Sequence, residues 1–139
     1  MSGFLQWLNG PLHWVSKRQT ITARSTAESE IYATDECTKN TLHIRHILED
    51  LNLLHIFCPG VTTIYNDNQA CVTWSTNMTT KGLRHVQIRE NAVRESVFNK
   101  DIEVAHVAGN VNLSDIFTKE DRHTVHFLSL RDVIMSCRP

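Results

Sequence analysis

Hydrophobic positions mark out a series of short elements along the chain. Phe4 to Leu8 is apolar and aromatic, and Leu12 to Ser16 resumes with Trp14 and Val15 after Asn9-Gly10-Pro11. Two apolar runs around an Asn-Gly turn predict a β-hairpin. Lys17-Arg18-Gln19 is its polar exit. Ser25-Thr26-Ala27-Glu28 has the form of a capping box, which predicts a helix from there to about Asn52. Glu30, Thr34, Cys37, Thr41, Ile44, Leu48 and Leu51 recur in steps of four and three, so they share one helical face. The C-terminal half of that stripe reads as core. Its N-terminal end carries a carboxylate, Glu30, on the buried side. Glu28, Tyr32, Asp35 and Lys39 fall on a different face.

Pro59-Gly60 breaks the chain, and Val61 to Asn66 is a β-branched strand that ends in Asp67-Asn68-Gln69. A short helix from Gln69 to about Ser75 follows. After the loop Asn77-Met78-Thr79-Thr80, a long helix is predicted from Lys81 or Leu83 to about Phe98, with Val86, Ile88, Val93 and Val97 as its apolar positions. Ile102 to Val107 is another strand. Gly109 to Asn112 reads as a loop, Ser114 as the cap of a helix containing Asp115, and Thr124 to Met135 as a last helix. The order is β-β-α-β-α-α-β-α-α. A hairpin followed by α/β units predicts an α/β fold, a mixed sheet with helices on its faces.

Composition adds little and removes some options. The 139 residues are 41% hydrophobic and 21% charged, enough apolar content for one core. The net charge of -1 is low for a free-standing nucleic-acid binder, so any such site must be local. The four cysteines are Cys37, Cys58, Cys71 and Cys137; they are scattered, with no C-x-x-C, and fit reduced thiols in an intracellular protein better than a disulfide framework. His43 with His46 and His123 with His126 are i,i+3 pairs, but nothing beside them completes a zinc set. No apolar run approaches the roughly 20 residues of a membrane span, so no membrane partner is expected.

Three carboxylates stand at element ends that can converge. Glu30 lies in the first turns of a helix, Asp67 at the C-terminal end of a strand, and Asp115 at the start of a later helix. In α/β sheets ligands bind outside the carboxyl ends of the strands. Clustered carboxylates there suit Mg²⁺, which takes oxygen ligands and keeps waters, and two such ions activate water and stabilise the leaving oxygen of a phosphodiester. Each acid also has a plainer reading. Asp67 can be a helix N-cap, Asp115 can complement a helix dipole, and Glu30 can pair with Arg24 or Arg45.

The segments carrying these acids resemble the ribonuclease H domain of copia-type LTR retrotransposons. Trp14-Val15-Ser16-Lys17-Arg18-Gln19 resembles W-x-S-K-R-Q, and Ser25 to Ala33 resembles S-S-T-E-A-E-Y-x-A. Ile64 to Ala70 resembles I-Y-x-D-N-Q-S. His85 to Arg89 with Val93-Arg94-Glu95 resembles H-I-D-I-R followed by I-R-E, and Leu113 to Lys119 resembles L-A-D-I-L-T-K. The motifs come in the family's order over roughly residues 10 to 120.

The resemblance implies a ribonuclease H-like domain over 3–120 and a C-terminal helical extension over 121–139. It implies Glu30, Asp67 and Asp115 as ligands of two Mg²⁺ ions, with Mn²⁺ as an alternative. It also implies His106 as a counterpart of the histidine that helps product leave. The substrate would be an RNA/DNA hybrid, cut in its RNA strand, beside an upstream reverse transcriptase domain of the same polyprotein. The setting would be a cytoplasmic virus-like particle with access to the nucleus. Minor-groove recognition of hybrids implies local phosphate contacts, for which Lys17, Arg18, Arg24, Asn68, Gln69, Arg84, His85 and Arg89 are the candidates. A solvated helix face with pairs such as Glu90 and Arg94 is the plainer reading of the last group.

The family's pattern also places an aspartate on a first strand, in a D-x-D-W motif upstream of the hairpin. No counterpart precedes Phe4. The expectation is therefore three carboxylates of four and a sheet lacking its first, central strand. The non-catalytic alternative is a ribonuclease H-like remnant that binds nucleic acid or a protein without cutting.

Overall fold

A computed structural model describes residues 2–18, 26–76, 84–119 and 124–136, and for 84–90 the backbone alone. It is mixed α/β, with six helices and two small sheets among the described residues. The chain forms two compact units, Met1–Thr22 with Val107–Pro139, and Ala23–His106.

The first unit is built on the expected hairpin. β1 (Ser2–Trp7) pairs antiparallel with β2 (Pro11–Lys17), with Phe4 opposite Val15 and Leu5 opposite Trp14. The register slips between Gln6 and Trp7. Asn9 sits at φ 56°, a left-handed conformation that asparagine tolerates in turns. Phe4 and Gln6 are buried on one face, where His13 Nδ1 meets Gln6 Oε1 at 2.9 Å and its ring stands edge-on to Phe4. A short helix α5 (Asp115–Thr118) lies against the opposite face. There Ser16 donates to the Phe117 carbonyl. Gly3 makes that approach possible, since a Cβ on it would stand 2.6 Å from Thr118 Cγ2 and 2.7 Å from the Val15 carbonyl. Helix α6 (Thr124–Met135) packs on α5 and buries Leu130.

The second unit begins with helix α1 (Thr26–Asp50) and a short α2 (Leu54–Phe57) that sequence reading omitted. α1 ends in a Schellman motif. Leu53 N–H bonds the Leu48 carbonyl, Asn52 N–H bonds that of Glu49, and Asn52 takes φ 57°. Strand β3 (Thr62–Asn66) leads to α3 (Gln69–Thr76) and α4 (Arg84–Phe98), and the chain returns in β4 (Ile102–His106). β3 and β4 are parallel, paired from Thr62–Ile102 to Asn66–His106, as such a crossover requires. Ile64, Val93 and Ile102 form the core, with Cys37, Trp74 and Val97 against it. Arg94 stacks on the Trp74 ring at 5.1 Å and donates to its carbonyl, which fastens α4 to α3. Arg45 fastens α1 to the start of β3 through bonds to the Gly60 carbonyl and Thr62 Oγ1.

Several expectations are corrected. The strands form two separate two-stranded sheets rather than one mixed sheet, because no hydrogen-bonded strand joins the hairpin to the β3–β4 pair among the described residues. Asp35, off the apolar stripe, is nonetheless 2% exposed, for α1 packs against α2, α3, α4 and β3 and so buries more than one stripe. Its carboxylate keeps a partner through Lys39, at 2.7 Å, whose long stem carries the ammonium outward. Leu51 is 61% exposed because it already belongs to the terminating turn. Ser114 takes α-helical angles and makes no side-chain cap, and Asn112 Oδ1 instead accepts from both its N–H and its hydroxyl. The expected loop at Gly109–Val111 is a single 3-10 turn.

Candidate functional site

The second unit gathers its candidate residues at the carboxyl ends of β3 and β4. Asn66 is the last residue of β3 and His106, exposed, the last of β4, directly opposite it in register. Asp67 follows Asn66 and is half-buried. Glu30, also half-buried, reaches this end from the first turns of α1. Asn66 Nδ2 donates to Glu30 Oε2 at 3.4 Å and to Thr34 Oγ1 at 3.1 Å. Thr34 in turn donates to the Glu30 carbonyl at 2.9 Å. The face predicted from helical phase thus does carry Glu30 to the strand end. Glu28 is half-buried as well, two residues away on another face, where it accepts a bond from the Tyr32 hydroxyl.

Asparagine side chains shape the turn that carries Asp67. Asn66 Oδ1 accepts the N–H of Asn68 at 2.7 Å, closing an Asx-turn over Asp67. Asn68 Oδ1 then accepts the N–H groups of Ala70 and Cys71, so Asn68 is the N-cap of α3. The plainer reading of Asp67 as that cap does not hold. The plainer reading of Glu30 as a partner of Arg45 does not hold either. Arg45 is bound to Gly60 and Thr62, and fifteen residues of helix separate it from Glu30 by about 22 Å. Arg24 lies outside the described residues.

Cys71 backs the cluster. It is 1% exposed, with its Sγ 3.4 Å from Thr34 Oγ1. Burial pushes its thiol up; the bond to Thr34 opposes this and the charge of Glu30 adds to it. The nearest sulfur is therefore a protonated thiol. The anionic donors at this end are carboxylate oxygens, the kind that hard cations take. Among the described residues, no three His, Cys, Asp or Glu side chains stand together in metal-holding geometry. A cleft of about 510 Å³ opens beside α2 and the Pro59-Gly60 turn, lined by Arg45, Glu49, His55, Cys58 and Lys100 among others.

Asp115 belongs to the first unit. It opens α5, is 8% exposed, and is paired with Lys119 at 2.7 Å. Of the cationic candidates, Lys17 and Arg18 are exposed at the end of β2. Gln69 is exposed at the start of α3, and Asn68 is committed to capping it. Arg84, His85 and Arg89 lie in the first turns of α4, in the stretch described by its backbone alone. Sequence reading passed over Asn66. Its signal was an asparagine one position before the acid at a strand end, where an Asx-turn is the common use.

No helix among the described residues is long and apolar enough to cross a membrane. No family model and no solved structure matches the chain. The chain is similar to a segment of the retrovirus-related Pol polyprotein from transposon TNT 1-94 of Nicotiana tabacum, 30% identical over 111 residues. The match covers 79% of this chain and 8% of that polyprotein. That similarity supports reading the chain as retrotransposon Pol polyprotein sequence.

Proposed function

We propose that the chain is the ribonuclease H portion of a copia-type Pol polyprotein and hydrolyses the RNA strand of RNA/DNA hybrids with Mg²⁺. The observation that carries this is the meeting of Glu30 and the Asp67 turn at the carboxyl ends of a parallel strand pair, with Asp67 relieved of capping by Asn68. Five motifs in the family's order support it, as does the similarity to a Pol polyprotein.

Glu30 and Asp67 would supply carboxylates to Mg²⁺ ions, or to Mn²⁺ in their place, and Asp115 is the third carboxylate that the resemblance implies. Bound there, the ions would make a bound water acidic and neutralise the departing 3′ oxygen. His106, at the end of β4 beside Asn66, would assist departure of the product. Lys17 and Arg18 would contact phosphates, as would Arg24, Gln69, Arg84, His85 and Arg89. The reverse transcriptase portion of the polyprotein would supply the hybrid, in a cytoplasmic particle.

A second reading, a remnant that binds hybrids without cutting, is favoured by one observation. Asp115 is already neutralised by Lys119, which a cation would have to displace. Cleavage of a labelled RNA/DNA hybrid in Mg²⁺, compared between this chain and Asp67→Asn, separates the two. The enzyme reading predicts cleavage reduced about 100-fold or more in the variant. Hybrid binding without cleavage in both supports the remnant, and cleavage that survives Asp67→Asn overturns the site.

A further inference from the structure

We propose that Asn66 is the residue that positions Glu30 and Asp67 for a divalent cation, an inference that rests on the function proposed above. Its amide works on both acids at once. Nδ2 donates to the Glu30 carboxylate and to Thr34, while Oδ1 accepts from Asn68 and closes the turn over Asp67. Asn66 is 7% exposed and pinned by β-pairing with His106, so the amide has a fixed origin. Thr34 completes the bracket: it receives the Asn66 N–H and returns its own proton to the Glu30 carbonyl.

The chemistry of the donor is what suits the task. Lysine or arginine at this position would hold Glu30 by cancelling its charge and would compete with a cation. An amide orients the carboxylate and leaves it anionic. Oriented carboxylates bind metals better than mobile ones, and residues that orient ligands typically account for tenfold or more in affinity.

The test uses the whole chain and Mn²⁺ as the probe, with affinity read by electron paramagnetic resonance. In the metal-free protein, hydrogen exchange at the Asn68 amide is read separately. Asn66→Ala is expected to weaken Mn²⁺ binding roughly tenfold and to speed Asn68 exchange. Asn66→Ser keeps a short acceptor for the Asn68 N–H but falls short of Glu30. It is expected to restore slow exchange while leaving Mn²⁺ binding weakened. Thr34→Val, which leaves both Asn66 bonds to the site in place, is expected to cost less affinity than Asn66→Ala. Equal Mn²⁺ affinity in the original chain and folded Asn66→Ala overturns the positioning role while leaving the proposed function standing. A chain that binds no Mn²⁺ at all overturns the proposed function and the positioning role with it.

Discussion

The two units hold their candidate acids in opposite ways. In the second unit, Glu30 accepts a bond from the neutral amide of Asn66, and an Asx-turn made by the same amide closes over Asp67. In the first unit, Asp115 is nearly buried and its charge is met by Lys119 from the same short helix. Acids that look alike in sequence therefore differ in readiness. Asp115 must release an ammonium before it can meet another cation. That release is cheap, since Lys119 is 57% exposed and pairs of this kind contribute about 1 kcal/mol or less.

Substitutions that act on one unit alone break or sharpen this contrast. The largest effect is expected at Gly3. A methyl group there meets both the Thr118 side chain and an immovable backbone carbonyl, so Gly3→Ala should push α5 off the hairpin. The expected cost is about 2–3 kcal/mol, visible in hydrogen exchange as lost protection in β1, β2 and α5 with β3 and β4 unchanged. Unchanged protection of α5 would contradict the docking described for that helix.

Cys37 provides a lever on the second unit. Burial raises its thiol from 9.0 to about 11, against a smaller opposing bond from Thr41. The folded protein thus holds this proton more tightly than the unfolded chain. Stability is fully present below pH 9 and falls as pH rises towards 11, by an amount on the order of 2 kcal/mol. Denaturant titrations across that range should show the loss, and Cys37→Ser should reduce it to what the raised thiol of Cys71 still contributes. A profile identical in the variant would assign the loss elsewhere.

Lys100 is the next smaller lever. It occupies the left-handed position that ends α4, at φ 61°, with Asp101 N–H bonded to Ser96 and its own N–H to Val97. Glycine adopts that conformation freely. Lys100→Gly should stabilise the second unit by about 0.5–1 kcal/mol, read as a raised midpoint of thermal unfolding. The smallest effect is on the ion pair: Lys119→Met should cost the first unit about 0.5 kcal/mol or less, read as a slight drop in the midpoint of thermal unfolding, and a drop several times larger would show the pair to matter more than its exposure suggests.

Much of this was legible because the determinants are local. The Asn-Gly turn sets the hairpin, apolar spacing sets α1 and α4, and helical phase turns Glu30 inward, where Asn66 meets it. What escaped was set by partners distant in sequence. Asp35 is buried because several elements surround α1, which a single apolar stripe cannot reveal. The capping assignments failed by one or two residues. Asn68 takes the cap from Asp67, and Ser114 stands at the start of α5 without capping it, its hydroxyl held by Asn112, through backbone angles that residue type alone does not set. The role of Asn66 depends on Glu30 lying thirty-six residues earlier in the chain. Sheet composition likewise depends on which strands find partners, and each sheet here has two.

The most direct test of the central claim exploits the two glutamates that lie on either side of Ser29. Mg²⁺-dependent cleavage of an RNA/DNA hybrid should be measured for the original chain, Glu28→Gln and Glu30→Gln. Glu30 faces the Asn66 bracket and Glu28 faces Tyr32. Loss of cleavage in Glu30→Gln with retention in Glu28→Gln is the expected result. Cleavage retained in Glu30→Gln, or lost equally in both, would contradict the site.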